Sequence, residues 1–439
     1  MKKLIAISVV FALVAGVAFA DTANGISVQG WGRAAFVPIR NVSAPQTDGK
    51  TADGAEGENY AGVGASWGGD KARIDFRING DSEFVGFQTQ FSAENGIGIE
   101  DNMHIWTKPF GSDILKLSAG KISDDTLRGK IGNLNGGFEN FVMGNPAEED
   151  QIFTRFGTYN LGDAPHGYML SSAPIDGLYI GLMVNGAQDP WWNGGVAGAT
   201  PAAVAYQYMQ IGLGYQIEGI GHVRVQYLGG WSGTLDPTNK DQMKYFASYG
   251  EDEDGNPTVS FASDKRARIE FAFALTAVDN LLIDLGFRYG LPLEIKDATA
   301  YSDGIGISLG ANFNADALGI GARVDVTGLS AYADGRGVKD DDSQDGMNLV
   351  FRLVPTYNLD AATIGLDVAF KLVGDGTAAN GDSKEDGYNQ LGFGLFVAKG
   401  LGSGGIKAGL SYTLAPTNKD GAQGSGVFQI PVILEYAFF

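Results

Sequence analysis

The sequence predicts an all-β fold, a closed antiparallel transmembrane β-barrel of about eighteen strands, with sixteen as the next count. Three observations predict it. Apolar residues recur with period two along most of the chain. The connections alternate between short turns and longer polar stretches. The chain also opens with an export signal, and no later apolar run is long enough to cross a membrane as a helix.

The signal comes first in order. Met1-Lys2-Lys3 is a basic start, Leu4 to Phe19 is apolar, and Ala18-Phe19-Ala20 before Asp21 fits a small-x-small cleavage site. Residues 1–20 are therefore expected to be removed, leaving 21–439 as a single barrel domain. Loss of Lys2 and Lys3 takes the net charge of the chain from −20 to −22. A duplex nucleic-acid binder needs a basic surface, so no nucleic-acid partner is expected. Zero Cys excludes disulfides, thiolate metal sites, Fe–S clusters and thiol nucleophiles. An exported chain without a spanning helix is either soluble outside the inner membrane or crosses an outer membrane as a barrel.

The strand-like runs follow in order at 26–37, 60–79, 83–92, 101–109, 113–121, 166–173, 177–185, 206–217 and 221–229. The second half adds 264–277, 281–290, 303–313, 318–327, 347–357, 363–373, 388–398, 405–414 and 427–438. In Lys71–Asn79 the residues Ala72, Ile74, Phe76 and Ile78 share one face, and Arg73, Asp75 and Arg77 share the other. The same division recurs at 265–275, 318–327, 363–373 and 406–414. A soluble sandwich also alternates, so the connections decide between the two. Short turns are expected at 79–82, 110–113, 174–177, 218–221, 278–280, 314–317, 358–362 and 399–404. Longer connections are expected at 38–59, 93–101, 122–165, 186–205, 230–263, 291–302, 328–346, 374–387 and 415–426. Sorting of connection length by side is a property of membrane barrels, with short turns in the periplasm, and an even strand count puts both termini there. The run 60–79 reads as a strand joined to part of a loop, and 151–159 as an extra strand or loop.

In a barrel of this size the interior is aqueous. The polar faces collect Arg33, Lys71, Arg73, Arg77, Arg224, Arg266, Arg268, Arg288, Arg323, Arg352, Lys371 and Lys407. Against them stand Asp75, Glu270, Asp284, Asp325 and Asp367, so a net basic wall is expected inside an acidic protein. His104 and His222 fall on the same face, with His166 at a turn. Aromatics at strand ends (Tyr60, Trp67, Trp106, Tyr168, Tyr179, Tyr215, Tyr227, Tyr289, Tyr357, Tyr412 and Tyr436) are expected to form two interfacial girdles.

Catalysis has little footing. No HExxH, paired His or P-loop occurs. Gly64-Ala65-Ser66-Trp67-Gly68 matches GxSxG, but that motif needs a strand-to-helix elbow, and β-type sequence lies on both sides here. Asp252-x-Asp254-Gly255-Asn256 and Asp341-x-Ser343-x-Asp345-Gly346 lack the spacing and closing Glu of a calcium loop. No enzyme activity, metal site or cofactor is expected.

Arg73-Ile74-Asp75-Phe76-Arg77 with Phe87-Gln88-Thr89-Gln90-Phe91, the hairpin from Asn102 to Lys121 and the terminal Phe439 resemble bacterial outer-membrane porins across 21–439. The resemblance implies an outer-membrane location, lipid contact, and passive diffusion of small hydrophilic solutes and ions through a water-filled channel. A homotrimer is compatible with it. It further implies that 122–165 folds into the lumen as a constriction loop carrying Asp124, Asp125, Glu139, Glu148, Glu149 and Asp150. Those carboxylates are expected to face part of the arginine set and to set up a transverse field. Two other readings stay open: a porin selective for sugars or organic anions, and an adhesin or structural barrel with an occluded lumen.

Overall fold

A computed structural model describes residues 25–43, 46–47, 50–51, 58–64, 73–93, 97–122, 164–185, 209–230, 233–235, 247–251, 257–261, 267–295, 300–302, 304–329, 332–334, 347–374, 376–377, 384–385, 388–418 and 425–438. The signal segment, Lys71, Arg266, Ser66, Trp67, the run 151–159, both acidic loop motifs and every carboxylate expected in the constriction loop lie outside the described residues.

Eighteen strands close the barrel. They are β1 (Ile26–Val42), β2 (Arg73–Asp81), β3 (Val85–Ala93), β4 (Ile97–Thr107), β5 (Lys116–Ile122) and β6 (Ala164–Ser172). Next come β7 (Leu178–Asn185), β8 (Gln210–Ile217), β9 (Gly221–Leu228), β10 (Arg268–Val278), β11 (Leu281–Gly290) and β12 (Ile305–Ala315). The last six are β13 (Leu318–Leu329), β14 (Asn348–Asn358), β15 (Thr363–Val373), β16 (Tyr388–Leu401), β17 (Gly404–Thr413) and β18 (Val427–Phe438). Each strand pairs antiparallel with the next, and β18 returns to β1 from Gly30 opposite Phe438 to Val42 opposite Val427. Closure of this kind leaves no sheet edge to be capped.

The run expected at 60–79 is divided. Ile26–Arg33 of β1 pairs with β2, while Ala35–Val42 pairs on the same side with a separate strand, Glu58–Gly64. The connection expected over 93–101 is a correction. β4 resumes at Ile97, which leaves 94–96 between the strands. Glu100, Asp101 and Asn102 belong to the strand, because at the loop end of a barrel strand the chain need not stay apolar on either face.

The turn side is tight for identifiable reasons. Asp279-Asn280 and Asp316-Ala317 each reverse the chain in two residues, with Asn280 at φ 63 and Asp316 at φ 49. Asn and Asp enter this left-handed region most readily among residues with a Cβ. On the opposite side the connections are longer. Three of them contribute Gly233–Leu235, Leu293–Ile295, Ala300–Ser302 and Tyr332–Asp334 to a separate four-stranded sheet. Ala247–Glu251 and Pro257–Phe261 form a further hairpin there.

Burial is inverted relative to a water-soluble protein. Ile105 (68%), Leu434 (53%) and Leu395 (52%) are exposed on the outer face, whereas Asp367 (0%), Asp75 (1%) and Gln90 (2%) are buried on the inner face. Continuous apolar surface on this scale is not left to water by a soluble monomer, and hydrocarbon is the solvent that suits it. Tyr215, Tyr357 and Tyr436 point outward near the turn end, and Tyr227, Tyr289 and Tyr412 occupy outward positions near the loop end. Two residues expected in the girdles are corrected. Trp106 is 8% exposed and shares the inward phase of His104. Tyr179 packs inside against Ile122, Met169 and Met183.

Candidate functional site: a charged lumenal wall

The strand pleat turns one side chain in two toward the lumen, and strand register decides which of these meet. On β1–β3 the inward row runs Gln29 opposite Arg77, Trp31 opposite Asp75, and Arg33 opposite Arg73. Two arginines directly across a strand pair repel, so carboxylates must flank them. They do: the Arg73 Nε–H donates to Asp75 at 3.1 Å, and Arg33 Nε lies 3.2 Å from Glu435 of β18. Arg77 donates to Gln90 Oε1 at 2.9 Å and lies over the Trp31 ring at 5.6 Å.

A second belt crosses β9–β15. The register aligns Gln226, Glu270 and Arg288 in one row. Glu270 accepts from Gln226 Nε2 at 2.6 Å and lies 3.1 Å from Arg268 Nε and 4.0 Å from Arg288 Nε. One row lower, Ser308 faces Asp325 and donates its hydroxyl to it. Arg323 Nε is 2.6 Å from the same carboxylate. Arg323 also stands directly opposite Arg352. Arg352 is gripped by Asp367 through two parallel hydrogen bonds, one at 2.9 Å from Nε to Oδ1 and one from Nη2 to Oδ2. Asp284 lies within electrostatic reach of Arg323 and Arg224. Glycine on the intervening strands provides the room: Gly286, Gly306 and Gly310 face inward between these long side chains.

Seven of the eight wall arginines expected from sequence are thus placed on the inner face: Arg73, Arg77, Arg224, Arg268, Arg288, Arg323 and Arg352. Arg266 lies outside the described residues, as do Asp124, Asp125, Glu139, Glu148, Glu149 and Asp150. His104 (3%) and His222 (6%) are buried on the inner face, as the strand phase implied. Sequence reading did not pair Glu435 with Arg33. Its signal was present, because Glu435 is out of phase with Leu434 and Tyr436, but its partner depends on the closing register of β18 on β1.

The wall is not uniformly polar. Ala35, Val37, Val354, Ala369, Phe396 and Ile433 form an inward apolar cluster on β1, β14, β15, β16 and β18. Lys407 Nζ sits 5.3 Å from the centre of the Phe396 ring. Lys108, just past the end of β4, and Lys116 of β5 cover the Trp106 ring at 4.9 Å and 5.3 Å. Among the described residues no group of three or more His, Asp or Glu is placed to hold a metal ion.

No protein-family model matches the chain, and no curated protein matches it in sequence. Solved structures align with it over most of its length. An anion-selective porin from Comamonas acidovorans aligns over 94% of this chain and 100% of that chain, at 10% identity and a TM-score of 0.45. The outer-membrane channel DcaP of Acinetobacter baumannii aligns over 94% and 97%, at 11% identity and 0.44. OccD3 (OpdP) of Pseudomonas aeruginosa aligns over 94% and 92%, at 10% identity and 0.47.

Proposed function

We propose that this chain is an outer-membrane porin: a water-filled channel through which small hydrophilic solutes and ions diffuse passively. The observation that carries the reading is the inverted burial of a closed eighteen-strand ring, apolar outside and ion-paired inside. A ring of this size leaves an aqueous bore. Charge on its wall is tolerable only because water and paired carboxylates solvate it. No bond is made or broken. Selection comes from bore width and from the sign and placement of wall charge.

In this reading the segment 122–165 narrows the bore, and its carboxylates face part of the wall-arginine set across the opening. The outer-membrane location fits the expected export signal and the lipid-compatible outer face. The wall charges named above give a second reading less weight. A structural barrel with a blocked lumen has no need of a bidentate Arg352–Asp367 pair or of a Glu270 flanked by Arg268 and Arg288 on its inside.

Single-channel recording of purified protein in a planar bilayer tests the proposal. Stepwise, ohmic conductance is the expected outcome, and Arg73→Ala with Arg77→Ala is expected to change conductance or ion preference. Folded protein that inserts and stays insulating overturns the pore.

A further inference from the structure

We infer that the pore prefers anions, and that the wall carboxylates serve to hold the guanidinium groups against the wall and not to attract cations. The inference rests on the porin reading above and deepens it.

On the belt across β9–β15 the inward cations are Arg224, Arg268, Arg288, Arg323, Arg352 and Lys371. The inward carboxylates there are Glu270, Asp284, Asp325 and Asp367. Among the described residues of this belt six cations stand against four carboxylates, although the whole chain carries −20. The placement of the acids matters as much as the balance. Glu270 is 4% exposed, Asp284 5%, Asp325 3% and Asp367 0%. The oxygens of Glu270, Asp325 and Asp367 are taken up by Arg268, Arg323, Arg352, Gln226 and Ser308. By contrast, the side chains of Arg268 and Arg288 are 27% and 25% exposed. Around Glu270 a solute in the bore therefore meets the guanidinium side and not the carboxylate side. Forks of this kind suit chloride, phosphate and small organic carboxylates, which accept several N–H bonds at once.

The test is the reversal potential across a bilayer in a potassium chloride gradient. The unmodified protein is expected to pass chloride in preference to potassium. That preference should shrink as salt rises from 0.1 M to 1 M, where the Debye length falls from ~10 Å to ~3 Å. Arg268→Gln with Arg288→Gln is expected to lower the chloride-to-potassium ratio by about twofold or more. Glu270→Gln, which keeps the Gln226 contact, is expected to leave it unchanged or higher, because this inward carboxylate is covered by Gln226 and the two arginines. A conducting pore that prefers potassium overturns the inference and leaves the porin reading standing. So does a conducting double variant whose ratio is unaltered, or a Glu270→Gln ratio that falls. Absence of conductance from folded, inserted protein overturns both.

Discussion

A single hydrogen atom at Gly86 decides where Trp106 lies. The two residues are directly opposite on β3 and β4. A Cβ on Gly86 would enter the six-membered ring of Trp106 and the carbonyl oxygen of Gly80. The indole therefore lies flat on bare backbone, with Lys108 and Lys116 over it. Gly86→Ala is expected to push the ring off the wall, at a cost of about 1–3 kcal/mol for overpacking. The readouts are a lower urea midpoint in detergent and a change in tryptophan emission that Trp106→Phe removes. An unchanged midpoint with unchanged emission would contradict the placement. Trp106 also shows how a local rule can mislead. The period-two phase that turns His104 inward turns Trp106 inward as well, and that phase is readable from sequence. The tendency of strand-end aromatics to sit at the interface pointed the other way, and cross-strand space above a glycine prevailed. Tyr179 went the same way, with Gly181 and Met183 in its inward phase.

At the level of elements the demanding join is between β1 and β18, the two strands farthest apart in sequence. Their register places Arg33 opposite Glu435 and Ala35 opposite Ile433. The ion pair there is modest: Glu435 is 51% exposed in its side chain, so solvent screens it, and pairs of that kind contribute roughly 0–1 kcal/mol. The stronger constraint is against slippage. A shift by one residue would carry Leu434 and Tyr436 into the lumen and Glu435 into lipid, and every side chain of the strand would change face. Glu435→Gln is thus expected to lower stability by no more than about 1 kcal/mol, and a double-mutant cycle with Arg33→Gln should give a coupling of that size. A coupling of several kcal/mol would mean that the seam is held by charge and not by its hydrogen-bond ladder. The strands themselves were largely legible, because alternation and turn residues are local. The runs at 281–290, 363–373 and 427–438 match β11, β15 and β18 end to end. The division of 60–79 was less so, since it depends on β1 pairing with two successive partners on one side. The wall arginines were legible from strand phase, but their partners were not. Arg352 meets Asp367, and Arg33 meets Glu435, only through register.

For the whole molecule, everything depends on which solvent covers which face. Ile269 (40%), Leu285 (40%), Phe287 (37%), Ile307 (39%) and Leu309 (48%) form part of an unbroken outer band on β10–β12. Alternate positions on the same strands carry Arg268, Glu270, Asp284 and Arg288 toward the interior. If hydrocarbon lies outside and water inside, neighbours in sequence must differ sharply in their access to a water-soluble reagent. The chain supplies a clean background for that measurement, because it has no cysteine. In proteoliposomes Arg288→Cys, on the wall, is expected to react with a charged maleimide, and Phe287→Cys, one residue away, is expected to be protected. Solubilising the bilayer in mild detergent gives no water to the outer band, so the protection should persist. Unfolding should abolish it and make the two positions equal. A reversed order, with position 287 labelled and position 288 silent, would put protein inside and water outside, and no transport could follow from such a barrel. The expected order locates the aqueous path on the arginine-bearing side of the strands.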